Sequence, residues 1–177
     1  ERAFRSRLAW ASPATWHLTL KFIGDVPRAD LPRLVAALAE TPVVPFTLRP
    51  GGGGFFPSPR RPRVVWIGLA EGAAPCAALA ASVDAALAGL GYPAETRPFA
   101  PHLTLARVKV PARDPWPELL AAVCRRDWPE VMVERFVLWK SELSPSGARH
   151  EALARFGPAG ADIGPAGERE MSEAGRE

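Results

Sequence analysis

Residues 17–20 read HLTL, and residues 102–105 read HLTL again. A shift of 85 places lays one on the other, and the likeness runs further: LPRLVAAL at 31–38 falls without a gap on WPELLAAV at 116–123. Pro32 then meets Pro117, and Leu34 meets Leu119. Beyond them PFTL at 45–48 meets EVMV at 130–133, apolar against apolar in alternate places. One strand, helix, strand unit is used twice, and an internal repeat of this kind dictates architecture. It predicts two related β-sheet and helix lobes, an α+β fold, whose repeated segments can converge across a central cleft if a pseudo-twofold axis relates the lobes.

Within PATWHLTLKFIGDV (13–26) and RPFAPHLTLARVKV (97–110) the pattern reads as strand. Side chains alternate along a strand, so His17 and Thr19 point one way while Leu18 and Leu20 point the other; His102 and Thr104 stand in the same way against Leu103 and Leu105. A lone histidine on a strand is usually a satisfied buried imidazole or a surface residue. Here two of the three histidines in the chain occupy equivalent places in a repeat, each followed at i+2 by a hydroxyl. His150 lies outside the repeat and reads as an ordinary surface histidine.

Two imidazoles flanking one substrate can divide labour near neutral pH, one neutral and taking a proton, the other charged and giving one. Opening a cyclic phosphodiester needs a proton taken from the attacking water and another supplied to the departing ribose oxygen. It also needs hydrogen bonds to the non-bridging oxygens, which Thr19 and Thr104 can donate. The HxT spacing lacks the i+4 second ligand of a helical zinc motif, and no carboxylate cluster suited to magnesium is visible, so neither a metal nor a cofactor is expected.

The rest of the chain bounds this reading. With 177 residues it can bury a sizeable core without staples. Cys76 and Cys124 stand in no metal-like or CxxC spacing and read as small buried hydrophobes in a reducing compartment. No apolar run reaches the roughly 18 residues of a membrane span, and no signal segment opens the chain, so a cytoplasmic protein without a membrane partner is expected. VVWIGL at 64–69 and VERFVLWKSEL at 133–143 read as strands, and the alanine and leucine run at 74–92 as a helix stopped at Gly91. From Gly157 on, GPAGADIGPAGEREMSEAGRE carries few large apolar side chains and reads as a disordered tail. That tail holds two arginines against five acidic residues, so residues 1–156 carry +6 where the whole chain carries +3. The positive charge is nearly all arginine, whose planar fork suits phosphate oxygens; a GC-rich genome that writes arginine for lysine accounts for it equally well. The loop FFPSPRRPR (55–63) joins two aromatic rings to Arg60, Arg61 and Arg63, and fits either a single-stranded nucleic acid contact or a solvated proline-rich turn.

HLTLKFIGDV, FFPSPRRPRVVWIGL, RPFAPHLTLARVKV and VLWKSEL, spread over about residues 8 to 156, together resemble the two-histidine (2H) phosphoesterases. Within that superfamily they are similar to the bacterial and archaeal RNA 2′,3′-cyclic phosphodiesterases, also called 2′-5′ RNA ligases. The resemblance implies a bilobal domain over residues 1–156 that uses no metal and hydrolyses a 2′,3′-cyclic phosphate to a 2′-phosphomonoester, with reversible 2′-5′ joining of RNA ends. It implies His17 and His102 as the catalytic pair, Thr19 and Thr104 on the phosphate, Phe22 as a base-stacking surface and Arg107 as a phosphate ligand. The implied partner is an RNA ending in a 2′,3′-cyclic phosphate, or a small cyclic nucleotide, with no obligate protein partner. Relatives begin with a strand and helix ahead of the segment matching RLAWASPATWHLTL, so the resemblance also implies that the family's N-terminal strand is lacking here. Strict alternation sets Arg107 on the leucine side unless the strand bulges or ends before it, and sets Phe22 there too, where it reads equally as a core aromatic. Two other functions fit the same residues: a catalytically weak RNA-binding module, and a cyclic phosphodiesterase acting on a small nucleotide metabolite.

Overall fold

The computed structural model describes residues 4–144 and 147–174. In chain order the strands are β1 (Arg7–Trp10), β2 (Phe46–Pro50), β3 (Gly54–Phe56), β4 (Val64–Ile67), β5 (Leu69–Glu71), β6 (Leu103–Val110), β7 (Val131–Val133), β8 (Phe136–Ser144), β9 (Gly147–Gly157) and β10 (Gly160–Ile163). The helices are α1 (Leu31–Ala39), α2 (Ala73–Ala88), α3 (Trp116–Arg125) and α4 (Pro165–Ala174). The fold is α+β, as the repeat predicts. Each HLTL is followed by a helix with proline in its first turn, α1 and α3, where the missing N–H breaks no intrahelical bond. The alanine-rich run is α2. Its stop is a Gly91 at φ +93°, with the Gly91 N–H donating to Ala88 (3.0 Å) and the Tyr92 N–H to Leu87 (3.1 Å), the double bond of a left-handed helix cap.

The chain forms two compact units, each assembled from three segments. The first takes residues 1–20, 47–77 and 99–131, the second 21–46, 78–98 and 132–177. This division does not follow the repeat: both HLTL motifs fall in the first unit, because the segment around Leu18 pairs directly with β6.

The first unit is built on a four-stranded antiparallel sheet in the order β1-β6-β4-β3. One face is apolar and is covered by α3: Phe55, Val65, Ala106, Val108 and Trp116 are buried together, with Leu8, Leu119 and Leu120 packed on them. Asp114 ties the sheet's edge strand down, accepting from the Arg5 N–H (2.8 Å) and the Ser6 N–H (2.6 Å), while the Ser6 hydroxyl accepts from the Ala112 N–H (2.8 Å). Burial alone would raise this carboxyl, but the hydrogen bonds from Ser6 and Arg5 hold it below its ordinary value.

In the second unit β8 and β9 form a long hairpin, with Phe136 and Phe156 stacked across it at 4.8 Å. The buried Leu31, Leu34, Val35 and Leu38 of α1 lie one turn apart on a single face. Lys21 is almost wholly buried and donates to the Asp84 carboxylate and to the Pro93 carbonyl (2.6 Å).

The tail departs from the expectation of disorder. Residues 160–163 pair with β9 as β10, and residues 165–174 form α4. Large apolar side chains are not what holds it. Gly164, Ala166 and Gly167 are buried, and a Cβ on Gly167 would run into the Leu153 carbonyl, so small residues let the helix backbone approach the sheet. Lys140 and Arg28 both pair with Glu170 (2.7 and 2.8 Å), and the Lys140 hydrogen bond holds that carboxyl below its ordinary value. Cys124 also departs from expectation: it is exposed, whereas Cys76 is buried and burial pushes its thiol up. Among the described residues no helix is long and apolar enough to cross a membrane.

Candidate active site

Leu18 and Leu103 face one another in an isolated antiparallel bridge, the one residue of the first motif with strand pairing. The strand expected over residues 13–26 is therefore reduced to that bridge, preceded by a short helical turn at Pro13–Thr15. A regular ladder would set His17 across from Thr104 and Thr19 across from His102, but the bridge is isolated and the pairing goes no further. Cross-strand neighbours on one face stand about 5 Å apart at Cβ. The bridge thus brings the two HxT motifs side by side at their first leucines.

Each imidazole is fixed in the same way. His17 Nδ1–H donates to the Thr15 carbonyl (2.9 Å), and His102 Nδ1–H donates to the Ala100 carbonyl (2.8 Å). A carbonyl can only accept, so Nδ1 carries a proton in both rings. The Thr15 carbonyl is itself set by the turn, whose Thr15 N–H and hydroxyl both donate to the Ser12 carbonyl (2.8 Å each). Next to His17, the Trp16 indole packs on Trp128 (5.6 Å) and its N–H donates to the Ala11 carbonyl (3.2 Å).

Arg107 reaches the same face through a bulge. β6 pairs with β4 as Ile67↔Leu103, Trp66↔Thr104, Val65↔Ala106 and Val64↔Arg107, which leaves Leu105 as an extra residue. Leu105 and Ala106 are both buried in succession, and the alternation restarts with Arg107 exposed on the His102 and Thr104 side. Arg107 makes no ion pair among the described residues.

Two aromatic residues complete this face. Phe56 stacks on Trp66 (5.1 Å, 25° between planes), and both rings lie against His102, at 4.9 and 6.1 Å. Phe22 belongs to the second unit and is 86% exposed, so it is no core aromatic. Arg60, Arg61 and Arg63 are exposed. Among the described residues no group of three His, Cys, Asp or Glu side chains is placed to hold a metal ion.

Residues 3–145 match the 2′-5′ RNA ligase superfamily. The chain belongs to that superfamily. Its similar members include proteins named RNA 2′,3′-cyclic phosphodiesterase from Aquifex aeolicus (strain VF5), 33% identical over 83% of this chain and 80% of the relative. Another, from Methanothermobacter thermautotrophicus, is 35% identical over 85% of this chain and 83% of its own length. Among solved structures the superfamily fold recurs in a Thermus thermophilus protein, with a TM-score of 0.70, 31% identity and coverage of 86% of this chain and 83% of that one. It recurs again in Escherichia coli LigT complexed with 3′-AMP, with a TM-score of 0.65, 25% identity and coverage of 84% and 79%.

Sequence reasoning names the two histidines and threonines that the bridge brings together, and it leaves the bulge that turns Arg107 open. It misses Trp66 as a neighbour of His102, and the two carbonyls that orient the imidazoles. The segment FFPSPRRPR stands out as a whole; strand pairing alone separates Phe55, buried against Trp116, from Phe56 on the open face.

Proposed function

We propose that this superfamily member hydrolyses the 2′,3′-cyclic phosphate of an RNA end or small nucleotide to a 2′-phosphomonoester, without a metal ion. The observation that carries the reading is the shared geometry of the two motifs: two imidazoles, each with Nδ1–H held by a carbonyl two residues earlier, next to leucines that bridge one another. In this reading His102 Nε2 takes a proton from water as the oxygen attacks phosphorus. The bond from phosphorus to the 3′ oxygen breaks, and His17, as imidazolium, protonates that oxygen. Thr19 and Thr104 donate to the non-bridging oxygens, and the Arg107 fork neutralises charge as it builds there.

A 5′-hydroxyl in place of water would undergo the same transfers and leave a 2′-5′ linkage, which agrees with the superfamily's name. An RNA substrate is supported by the names of the relatives and by the exposed Arg60, Arg61 and Arg63. Phe22, exposed and at the place the resemblance marks, is proposed to stack on a base. Cytoplasmic residence rests on two cysteines that are unpaired. The test is turnover of 2′,3′-cyclic AMP and of an oligoribonucleotide with a 2′,3′-cyclic end, side by side in excess chelator. Release of the 2′-phosphomonoester from either supports the reading; absence of turnover, or turnover restored only by a divalent ion, overturns it.

A further inference from the structure

We infer that Phe56, backed by Trp66, is a nucleobase-stacking subsite for the nucleotide whose phosphate sits at His102. The inference rests on the phosphodiesterase reading above and adds a specificity determinant to it.

The construction begins at Gly54. This residue pairs with Trp66 across β3 and β4, and a Cβ there would come within 2.6 Å of the indole Cζ2. Glycine at 54 therefore leaves the space in which the indole lies across the neighbouring strand. Phe56, two residues on and on the same face, stacks on that indole at 5.1 Å and a 25° tilt. One ring face is thus occupied, and the residue is still 36% exposed. Its neighbour Phe55 is 5% exposed and spent in the core, so the two adjacent aromatics divide between core and surface. An aromatic ring held flat by a second ring and still more than a third exposed offers π-surface on which any base can stack.

The platform's position supplies the substrate class. The Phe56 ring meets the His102 ring edge to face with centroids 4.9 Å apart, and Trp66 lies directly opposite Thr104. A base resting on Phe56 is therefore one sugar away from a phosphate held at His102 Nε2 and Thr104. Arg107 pairs with Val64, which in turn faces Phe56, so the arginine borders the same platform two strands over. The arrangement fits a nucleoside phosphate better than a bare cyclic phosphate, and favours a purine over a pyrimidine because the larger ring covers more of Phe56.

The experiment compares kcat/KM for 2′,3′-cyclic AMP with that for methyl ribofuranoside 2,3-cyclic phosphate, which carries no base, in the unsubstituted chain, Phe56→Leu and Phe56→Tyr. Base stacking on an aromatic side chain is worth enough that Phe56→Leu should shrink the advantage of the base-bearing substrate by about tenfold, expressed in KM, and Phe56→Tyr should restore it. An advantage unchanged in Phe56→Leu, with both substrates slowed alike, would overturn the subsite and leave Phe56 as a support for His102. If the unsubstituted chain opens neither substrate, the phosphodiesterase reading fails instead. The same ratio is then read from binding of 2′-AMP against ribose 2-phosphate, where a preference for the base-bearing ligand that is lost in Phe56→Leu supports the subsite and no preference overturns it.

Discussion

Leu18 and Leu103 meet across a single antiparallel bridge, and that pairing sets two copies of HLTL side by side. Everything proposed for the site depends on it, since one register step would turn one pair of polar side chains to the opposite face.

In the proposed mechanism each imidazole carries a separate proton transfer, so His17→Ala and His102→Ala should each lower turnover by at least roughly a hundredfold. His150, exposed and hydrogen-bonded to the Ser141 hydroxyl (2.8 Å), should be replaceable by alanine with turnover near normal. Steady-state rates on 2′,3′-cyclic AMP check all three, and near-normal turnover in either motif variant contradicts the division of labour.

Arg107 offers a test of the bulge. A lysine keeps the charge and loses the planar fork, so Arg107→Lys should lower kcat/KM by about tenfold and Arg107→Ala by more. Deleting Leu105, the extra residue in β6, leaves Arg107 an even step from His102, so regular alternation should keep it on that face and hold the rate above that of the alanine variant. Equal rates for Arg107→Ala and the unsubstituted chain would remove the arginine from the site.

The Asp114 carboxyl is held below its ordinary value in the folded chain, so the stability it contributes is present above the unfolded carboxylate value, near pH 4, and is lost as pH falls through the lower folded value. Asp114→Asn should therefore melt below the unsubstituted chain at pH 7, with the gap closing as the pH is taken below about 4. Thermal melting at a series of pH values reads this directly; a gap that widens in acid would contradict the assignment.

A chain stopped after Phe156 removes β10 and α4, and with them the buried Ala166 and the Glu170 pairs with Lys140 and Arg28. Its melting temperature should fall by at least about 5 °C, the scale expected for losing one or two kcal/mol in a domain of this size. An unchanged melting temperature would show that α4 adds nothing to the second unit.

That last case shows where the sequence stops being informative. The tail reads as disordered because the usual signal of a docked helix is a stripe of large apolar side chains, and α4 docks through Gly164, Ala166, Gly167 and ion pairs instead. The HLTL repeat, by contrast, is legible in its helices and in the second copy's strand, since the apolar residues of α1 and α3 recur on the faces that pack, while the first copy keeps only the bridge at Leu18. What the repeat conceals is the partition of the chain: a bridge at one residue pair draws both motifs into the first unit, and long-range pairing leaves no local mark. Arg107 lies between these cases. Alternation raises the question of a bulge, and only the register with β4 answers it. Phe56 and Trp66 alternate properly in sequence, but their stacking beside His102 depends on the glycine opposite, a cross-strand relation that no local pattern carries.

The central claim, that two imidazoles open a 2′,3′-cyclic phosphate by breaking the bond to the 3′ oxygen, is tested most directly by phosphorus NMR of the product formed from 2′,3′-cyclic AMP in excess chelator. The account predicts 2′-AMP as the sole product, formed by the unsubstituted chain and absent when both His17 and His102 are alanine. Accumulation of 3′-AMP, or the same yield of product from the doubly substituted chain, would contradict it.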